Sequence, residues 1–380
     1  MKKNQLVTLG KHIDILSGCA FPSSGFNRNN GVPLIRIRDI LSGKTETYYE
    51  GSYDLKYLIK KGDLLVGMDG DFNREYWKGT DALLNQRVCK ITPNPETLDK
   101  NFLYHFLQKE LDKIHATTDV VTVKHLSVKK IQDIKIRLPS LKEQKRIATI
   151  LDKADAIRQK REQAIKLADD FLRAKFLEMF GTPANNIHRF PKGTIRDLVD
   201  SVNYGTSAKA SIDSGEYPIL RMGNITYQGR WDFTDLKYLD LSVKEKDKYL
   251  VKEGDLLFNR TNSKELVGKT AVYEEDRPMA FAGYLIRVRS NSIGNNYYIS
   301  GYLNSIHGKI TLMNMCKSIV GMANINAQEL QNIEILIPPK HLQDEYEIIY
   351  KKIKKGLSIY DKSAMQLQLL ASNLSNKYFM

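Results

Sequence analysis

The hydrophobic and polar positions of the chain follow two periods, and each period occurs once in each half. Residues 32–40 (VPLIRIRDI) and residues 217–225 (YPILRMGNI) alternate apolar and polar side chains, as half-buried strands do. Residues 141–180 and 341–380 place apolar side chains at steps of three and four, which predicts two long helices. The order of strands, helix, strands and helix predicts an α+β protein.

Further matches show that the two halves repeat one module. KYLIKKGDLL at residues 56–65 returns 192 residues later as KYLVKEGDLL, with eight of ten positions identical. Residues 101–114 and 126–147 then match residues 297–310 and 325–346 in the same order. Four matching blocks in one order predict a tandem duplication, and the unequal spacings between blocks predict loops that differ in specificity.

The two long helices have apolar seams like those of a coiled coil. Ser140 and Glu143 have the spacing of a capping box, and Gly181 and Pro183 supply a stop. The predicted seam positions are Ile147, Ile150, Ala154, Ile157, Ala164, Ala168 and Phe171 in the first helix, and Ile349, Ile353, Tyr360, Ala364, Leu367 and Leu374 in the second. Their similar length favours an antiparallel pair, although each helix can alternatively pack on its own domain.

This pattern predicts four segments. They are a globular domain at residues 1–140, a helix at 141–180, a second globular domain at 181–340 and a second helix at 341–380. At about 1.5 Å per residue, helices of this length span roughly 60 Å and can hold two domains apart.

Charge then indicates the kind of partner. The formal net charge is +14, and the two helical segments carry only +3 and +2 of it. An excess of this size outside the helices favours a polyanion, with nucleic acid ahead of a membrane surface. We expect a reducing, cytoplasmic setting because the start lacks a signal-peptide pattern, no segment approaches a membrane span, and the three cysteines are widely spaced. The scattered histidines and cysteines predict no metal site.

The residues also resemble a known family. The segment 138–181, LPSLKEQKRIATILDKADAIRQKREQAIKLADDFLRAKFLEMFG, resembles the central region of the specificity subunits of Type I restriction-modification systems. Residues 68–88 (MDGDFNREYWKGTDALLNQRV) and 254–274 (GDLLFNRTNSKELVGKTAVYE) are similar to segments of their target recognition domains. The resemblance covers essentially the whole chain.

The resemblance implies a non-catalytic subunit that binds double-stranded DNA. Each target domain would read one half of a split sequence, while the paired helices set the gap and dock two modification subunits. Those partners would carry S-adenosylmethionine and methylate adenine, and restriction subunits with nuclease and ATPase activity would use ATP and Mg²⁺. The chain itself would need no cofactor.

Candidate DNA contacts follow from the groups that read base edges: arginine for guanine, amides for adenine and acidic groups for cytosine. In the first half they are Arg36, Arg38, Asp69, Asp71, Asn73, Arg74, Trp77, Asn85, Arg87, Lys124 and His125. In the second half they are Arg221, Asn259, Arg260, Asn262, Ser263, Lys264, Met322 and Asn324. For Arg36, Arg38 and Arg221 we expect phosphate contacts. For the candidates in the segments 68–79 and 258–269, the alternative is that the Asp and Asn residues build turns and that Arg260 and Lys264 touch only phosphate.

Other functions fit the sequence less well. A solitary adenine methyltransferase needs a glycine-rich cofactor turn and an Asn-Pro-Pro-aromatic type of motif, and the sequence supplies neither. A non-DNA-binding coiled-coil adaptor would bind protein and would show no preference for duplex and only a weak response to salt, whereas the positive charge outside the helices favours DNA. A similar subunit serving a Type II fused nuclease-methyltransferase remains an open alternative.

Overall fold

The computed structural model describes residues 6–118, 124–319 and 322–379. The chain divides into two units, and each unit contains one end of both long helices. The first unit comprises Met1–Lys160 and Lys362–Met380, and the second comprises Arg161–Asp361. This division differs from the four predicted segments, which treated each helix as a spacer of its own, so those domain boundaries stay a prediction.

The first unit combines short strands with two helices and the first half of a long one. Its strands are β1 (Leu6–Thr8), β2 (Ile13–Ser17), β3 (Phe26–Asn27), β4 (Val32–Ile35), β5 (Tyr48–Tyr49), β6 (Leu58–Ile59), β7 (Leu64–Gly67), β8 (Arg74–Tyr76), β9 (Ala82–Leu84), β10 (Val88–Pro93) and β11 (Lys135–Arg137). Its helices are α1 (Lys100–Ala116), α2 (Val128–Gln132) and the start of α3 (Leu141–Phe180), together with the end of the second long helix, α8 (Lys340–Phe379).

The second unit has the same kinds of elements. Its strands are β12 (Lys192–Thr194), β13 (Val199–Tyr204), β14 (Tyr217–Leu220), β15 (Lys237–Leu239), β16 (Leu250–Val251), β17 (Leu256–Asn259), β18 (Thr261–Asn262), β19 (Thr270–Val272), β20 (Met279–Phe281), β21 (Leu285–Ser290), β22 (Lys317–Ile319), β23 (Met322–Asn324) and β24 (Glu334–Leu336). Its helices are α4 (Val243–Tyr249), α5 (Asn296–Asn304), α6 (Ile306–Met315), α7 (Ala327–Gln331) and the start of α8 (Lys340–Phe379), together with the end of α3.

Sheet topology confirms the duplication. The antiparallel sheet β2-β10-β7-β8 of the first unit has the same order as β13-β21-β17-β19 of the second. The order β5-β4-β9-β6 likewise corresponds to β15-β14-β20-β16, and in both sheets the second and third strands pair in parallel. The pair β1-β11 corresponds to β12-β24. The α+β prediction is therefore confirmed.

The repeated GDLL sequence builds one turn and one buried strand in each unit. Gly62 and Gly254 have φ angles of 89° and 86°, a left-handed conformation that favours glycine. The next residue closes the turn through its carboxylate: Asp63 Oδ2 accepts from Lys60 N, and Asp255 Oδ2 accepts from Lys252 N, both at 2.9 Å. The two leucines then begin a strand that is buried along its whole length in each unit. The repeat is thus a structural motif.

Two predicted strands are shorter than their patterns indicated. The alternation at residues 32–40 and 217–225 stops after four residues, because Arg36 N and Arg221 N donate to Asp39 and Asn224 in short 3₁₀ turns. The pattern LLNQRVCKI at residues 83–91 is typical of a single strand with Asn85 and Arg87 on one face. The structure instead has a turn there, in which Val88 N donates to Asn85 O at 2.9 Å.

Helix α3 has the predicted bounds, and helix α8 begins at Lys340, one residue before its predicted start. Helix α3 begins after Ser140, whose Oγ accepts from Glu143 N at 3.3 Å, and ends before Gly181, whose φ is 66°. Each helix also buries a glutamine in its first turn. The amides of Gln144 and Gln343 both donate to two loop carbonyls, including those of Pro139 and Pro338.

The ends of both helices pack into the cores of the units. In the first unit, Ile147 and Leu151 of α3 share a core with Leu374 and Phe379 of α8. In the second unit, Phe176 and Phe180 of α3 pack with Tyr346 of α8, and the two phenylalanines also contact Tyr298. In both units the start of one helix meets the end of the other, which is the order of an antiparallel pair.

The predicted seam is only partly buried. Ile147 is fully buried, and Ile150, Ala154, Ala164, Ala168, Ile349, Ile353 and Leu374 are half-buried. The placement of Phe171 and Ile157 in the seam is wrong within this chain, because their exposed fractions are 49% and 37%. The face of α3 that packs into the core of the second unit carries Phe176 and Phe180, and Phe171 lies on another face. The side chains of Tyr360, Ala364 and Leu367 lie outside the described residues. No helix in the described part of the chain is long and apolar enough to cross a bilayer.

Candidate nucleic-acid interface

Three backbone segments of the first unit converge beyond the end of β7. Met68 N donates to Arg87 O at 2.9 Å, and Leu126 N donates to Met68 O at 2.7 Å. These bonds bring together the residue after β7, the β9–β10 turn and the segment before α2. Three side chains that are distant in sequence therefore meet, namely Asp69, Arg87 and His125, which we call the first triplet.

The first triplet is organised around its carboxylate. Asp69 Oδ1 lies 2.6 Å from His125 Nδ1, and Asp69 Oδ2 lies 3.2 Å from Arg87 Nη1. The Asp69 side chain is 23% exposed, whereas those of Arg87 and His125 are 55% and 57% exposed. The carboxylate thus holds two solvent-facing groups whose remaining nitrogen atoms can bind a further partner.

The second unit repeats this convergence with other residues. Arg260 N donates to Tyr284 O at 3.0 Å, and Ile325 N donates to Arg260 O at 2.9 Å. Thr261 also pairs with Asn324 across an antiparallel ladder, as Asp69 pairs with His125 in an isolated bridge. The positions equivalent to the first triplet are therefore Thr261, Tyr284 and Asn324, which we call the second triplet.

The second triplet contains only uncharged side chains. Thr261 Oγ1 donates to Asn324 Oδ1 at 2.8 Å, which leaves one lone pair of that oxygen and the amide nitrogen available. Tyr284 is 55% exposed, and Thr261 is 9% exposed. The residue before Thr261 is Arg260, whose guanidinium lies 4.8 Å from the ring centroid of Tyr204. Donors and acceptors at equivalent positions thus differ completely between the units.

Several other candidates of the first unit are held by the fold. Arg74 stacks 3.4 Å from the ring centroid of Tyr104, and Lys124 Nζ donates to His115 O at 2.6 Å. Asn73 contributes its carbonyl to Gly67 N, and Asn85 Oδ1 accepts from Gln86 N at 2.8 Å. Asp71 is exposed beside the triplet. Arg74, Lys124, Asn73 and Asn85 therefore have structural roles in this unit, and their assignment as DNA contacts stays a prediction.

Burial removes two candidates. Trp77 is 2% exposed, and its indole Nε1 donates to Thr80 O at 2.6 Å within a hydrophobic core. Asn259 is completely buried at the end of β17, and neither atom of its amide has a hydrogen-bond partner among the described residues. Neither side chain can touch DNA while the core around it stays packed, so their assignment as contacts is wrong for this fold.

The remaining candidates lie at the surface or close to it. Arg36, Arg38 and Lys264 are exposed, and Asn262 and Ser263 are half-buried in the segment after Arg260. Arg221 is partly committed, because its Nη2 donates to both the carbonyl and the carboxylate of Asp235. The backbone of Met322 belongs to β23, while its side chain lies outside the described residues.

Sequence reasoning missed three residues of this site: Thr261, Tyr284 and Tyr204. Each is a common residue type without a motif of its own. Tyr284 could have been found by aligning AFAGYLIRV (280–288) with LLNQRVCKI (83–91), since this alignment places it opposite Arg87. Among the described residues, no cluster of three or more histidine, cysteine or acidic side chains could hold a metal ion.

Comparison with known proteins places this geometry in context. A family model described as "Type I restriction modification DNA specificity domain" matches residues 1–167 and again residues 190–371. The chain is 46% identical over 173 residues to the Type I restriction enzyme EcoBI specificity subunit of Escherichia coli, a match covering 44% of this chain and 36% of that relative. It thus spans about a third of the length of that relative.

Two other comparisons cover nearly the whole chain. The Type I restriction enzyme EcoKI specificity subunit of Escherichia coli strain K12 is 23% identical over 377 residues, which cover 92% of this chain and 80% of that relative. The crystal structure of a Type I restriction-modification system S subunit from M. genitalium superposes with a TM-score of 0.65 at 15% identity, covering 97% and 94% of the two chains. This structural likeness supports the fold.

Proposed function

Because the chain belongs to the family of Type I restriction-modification DNA specificity subunits, we propose that each of its units reads one half of a bipartite DNA sequence. Subunits of this family determine the DNA target and are non-catalytic, while the activities lie in the modification and restriction subunits. The single observation that carries the bipartite proposal is the internal duplication, with different side chains at the equivalent triplet positions. Two similar modules with unlike surfaces suit two unlike half-sites.

Under this proposal the long helices fix the distance between the half-sites and dock two modification subunits. Their exposed apolar side chains, which include Leu167 and Phe171 on α3 and Leu369 on α8, support a docking role. The modification subunits bind S-adenosylmethionine and methylate one adenine in each half-site, and restriction subunits use ATP and Mg²⁺. This chain supplies recognition and spacing alone, in the cytoplasm.

Sequencing of N6-methyladenine tests the proposal. DNA from cells that express the chain together with its genomic neighbours is compared with DNA from cells lacking only this chain. We expect a split, non-palindromic motif that disappears with the deletion. If no motif is lost while the methyltransferase is demonstrably active, the chain does not direct methylation, and the proposed function is wrong.

A further inference from the structure

The two triplets occupy the same place in duplicated folds but differ in chemistry. Identical backbone hydrogen bonds define that place, so the comparison does not depend on loop length. A carboxylate, a guanidinium and an imidazole in the first unit correspond to a hydroxyl, a phenol and an amide in the second. This variation is expected at a surface that reads different ligands.

The first triplet suits guanine. An arginine can donate two parallel hydrogen bonds to O6 and N7 of guanine, the commonest specific contact in the major groove. Asp69 fixes the orientation of Arg87 through the ion pair at 3.2 Å, and the guanidinium has five N–H donors, so it can serve both partners. A held arginine loses less conformational entropy on binding than a free one.

The second triplet suits adenine. An asparagine can accept from N6 and donate to N7 of adenine. Thr261 donates to Asn324 Oδ1 at 2.8 Å, which orients the amide and leaves its NH₂ group and one lone pair for a base. The phenol of Tyr284, whose backbone carbonyl accepts from the residue before Thr261, is exposed and can pack against a thymine methyl group or a sugar.

We propose that Arg87, held by Asp69, reads a guanine in the half-site of the first unit, and that Asn324, held by Thr261, reads an adenine in the half-site of the second unit. This inference rests on the proposed function and adds to it the residues and the bases. Asp69 and Thr261 are positioning residues, since each acts through the side chain that it holds.

Selection of binding sites from a random duplex library tests the inference. The full chain, purified with its modification subunits, first selects its site, and each base pair of that site is then substituted in turn. For Arg87→Ala we expect the preference for guanine at one position of one half-site to fall on the order of 10- to 100-fold, with the other half-site unaffected. Asn324→Ala should produce the reciprocal loss for adenine in the other half-site.

Arg137→Ala is the matched control, because Arg137 is an exposed arginine of the first unit on β11, outside the convergence. It should leave every base preference unchanged. Asp69→Asn should weaken the guanine preference without weakening the binding of unrelated duplex, because it removes a negative charge from the surface. A phosphate contact of Arg87 would not predict the loss of base preference.

The outcomes separate the two proposals. If the wild-type complex selects no split site, the proposed function fails. If it selects one, but Arg87→Ala and Asn324→Ala retain every base preference, or weaken all sequences equally, the triplets do not read bases and the inference is overturned while the function stands.

Discussion

The two units differ most clearly at one helix position near the core. The N-cap residues Asp99 and Asn295 align α1 with α5, and this alignment places His105 opposite Gly301. In the first unit His105 Nε2 lies 2.7 Å from Asp152 Oδ1 of α3. In the second unit a Cβ at Gly301 would come within 2.7 Å of the Phe176 ring and 2.9 Å of the Tyr346 ring. At this position one unit therefore contacts its long helix through a hydrogen bond between an imidazole and a carboxylate, and the other through aromatic packing.

This difference shows which parts of the module can vary. The turn of GDLL, the helix caps and the buried glutamine recur because the backbone requires them. In the core, a side chain and its contact partner change together: Gly301 stands where the first unit has His105, and the Phe176 ring packs against it. The triplets change without altering the backbone that presents them. A duplicated domain can thus gain a new surface while keeping its fold.

The largest effect is expected from Phe176→Ala in the second unit. Phe176 is 1% exposed and lies 5.0 to 5.6 Å, centroid to centroid, from Phe180, Tyr346 and Tyr298. Removing such a ring should lower the free energy of unfolding by about 3–5 kcal/mol. Hydrogen-exchange mass spectrometry should show loss of protection in α5 and the start of α8, with β2, β7 and β10 of the first unit unchanged.

Phe171→Ala is the matched control for that experiment. Phe171 is 49% exposed five residues earlier on the same helix, so its removal should change the free energy of unfolding by less than about 0.5 kcal/mol in the free chain. Equal destabilisation by the two substitutions would mean that the aromatic cluster does not anchor α3.

Sequence alone reached the duplication and the bounds of the long helices to within one residue, because local patterns encode them. It could not select Phe176 over Phe171, since both fit a helical seam and only packing against Tyr298 decides. Nor could it bring Asp69, Arg87 and His125 together, because their contact depends on strand pairings between distant segments. Asn259 was misjudged for a related reason: its sequence has loop composition, but its backbone completes a buried strand.

A buried lysine of the second unit gives the next largest effect. Lys309 Nζ has no hydrogen-bond partner among the described residues. Burial, with the nearby charges of Arg173 and Lys269, lowers the pKa of Lys309 to about 8 from 10.5. Because the unfolded chain binds the proton more tightly, this lysine destabilises the fold fully below pH 8, and the penalty disappears as the pH rises towards 10.5.

Lys309→Met should therefore stabilise the second unit by about 2–3 kcal/mol at pH 7. The advantage over wild type should shrink between pH 8 and 10.5, as measured by denaturant unfolding across that range. Lys309 and the exposed Lys264 line one cavity, so Lys264→Met is the control and should show no such trend. A constant advantage at all pH values would show that packing, rather than charge, explains the gain.

The smallest expected effect is the difference in stability between substitutions of the two repeated glutamines, whose hydrogen-bond networks are unequal. Gln144 makes three bonds: its amide donates to Thr97 O and Pro139 O, and its Oε1 accepts from Asp99 N at 2.8 Å. The amide of Gln343 donates to Ile293 O and Pro338 O, but its buried Oε1 has no partner among the described residues.

Replacing either glutamine with leucine leaves loop carbonyls unpaired, but only Gln144→Leu also leaves the Asp99 amide unpaired. Because an unsatisfied buried group costs about 1–3 kcal/mol, Gln144→Leu should destabilise its unit by about 1 kcal/mol more than Gln343→Leu destabilises the other. Gln343→Leu also removes an oxygen that is already unsatisfied, which offsets part of its cost. Amide exchange at Asp99 should accelerate in Gln144→Leu alone, and equal losses in both units would show that the third bond contributes nothing to stability.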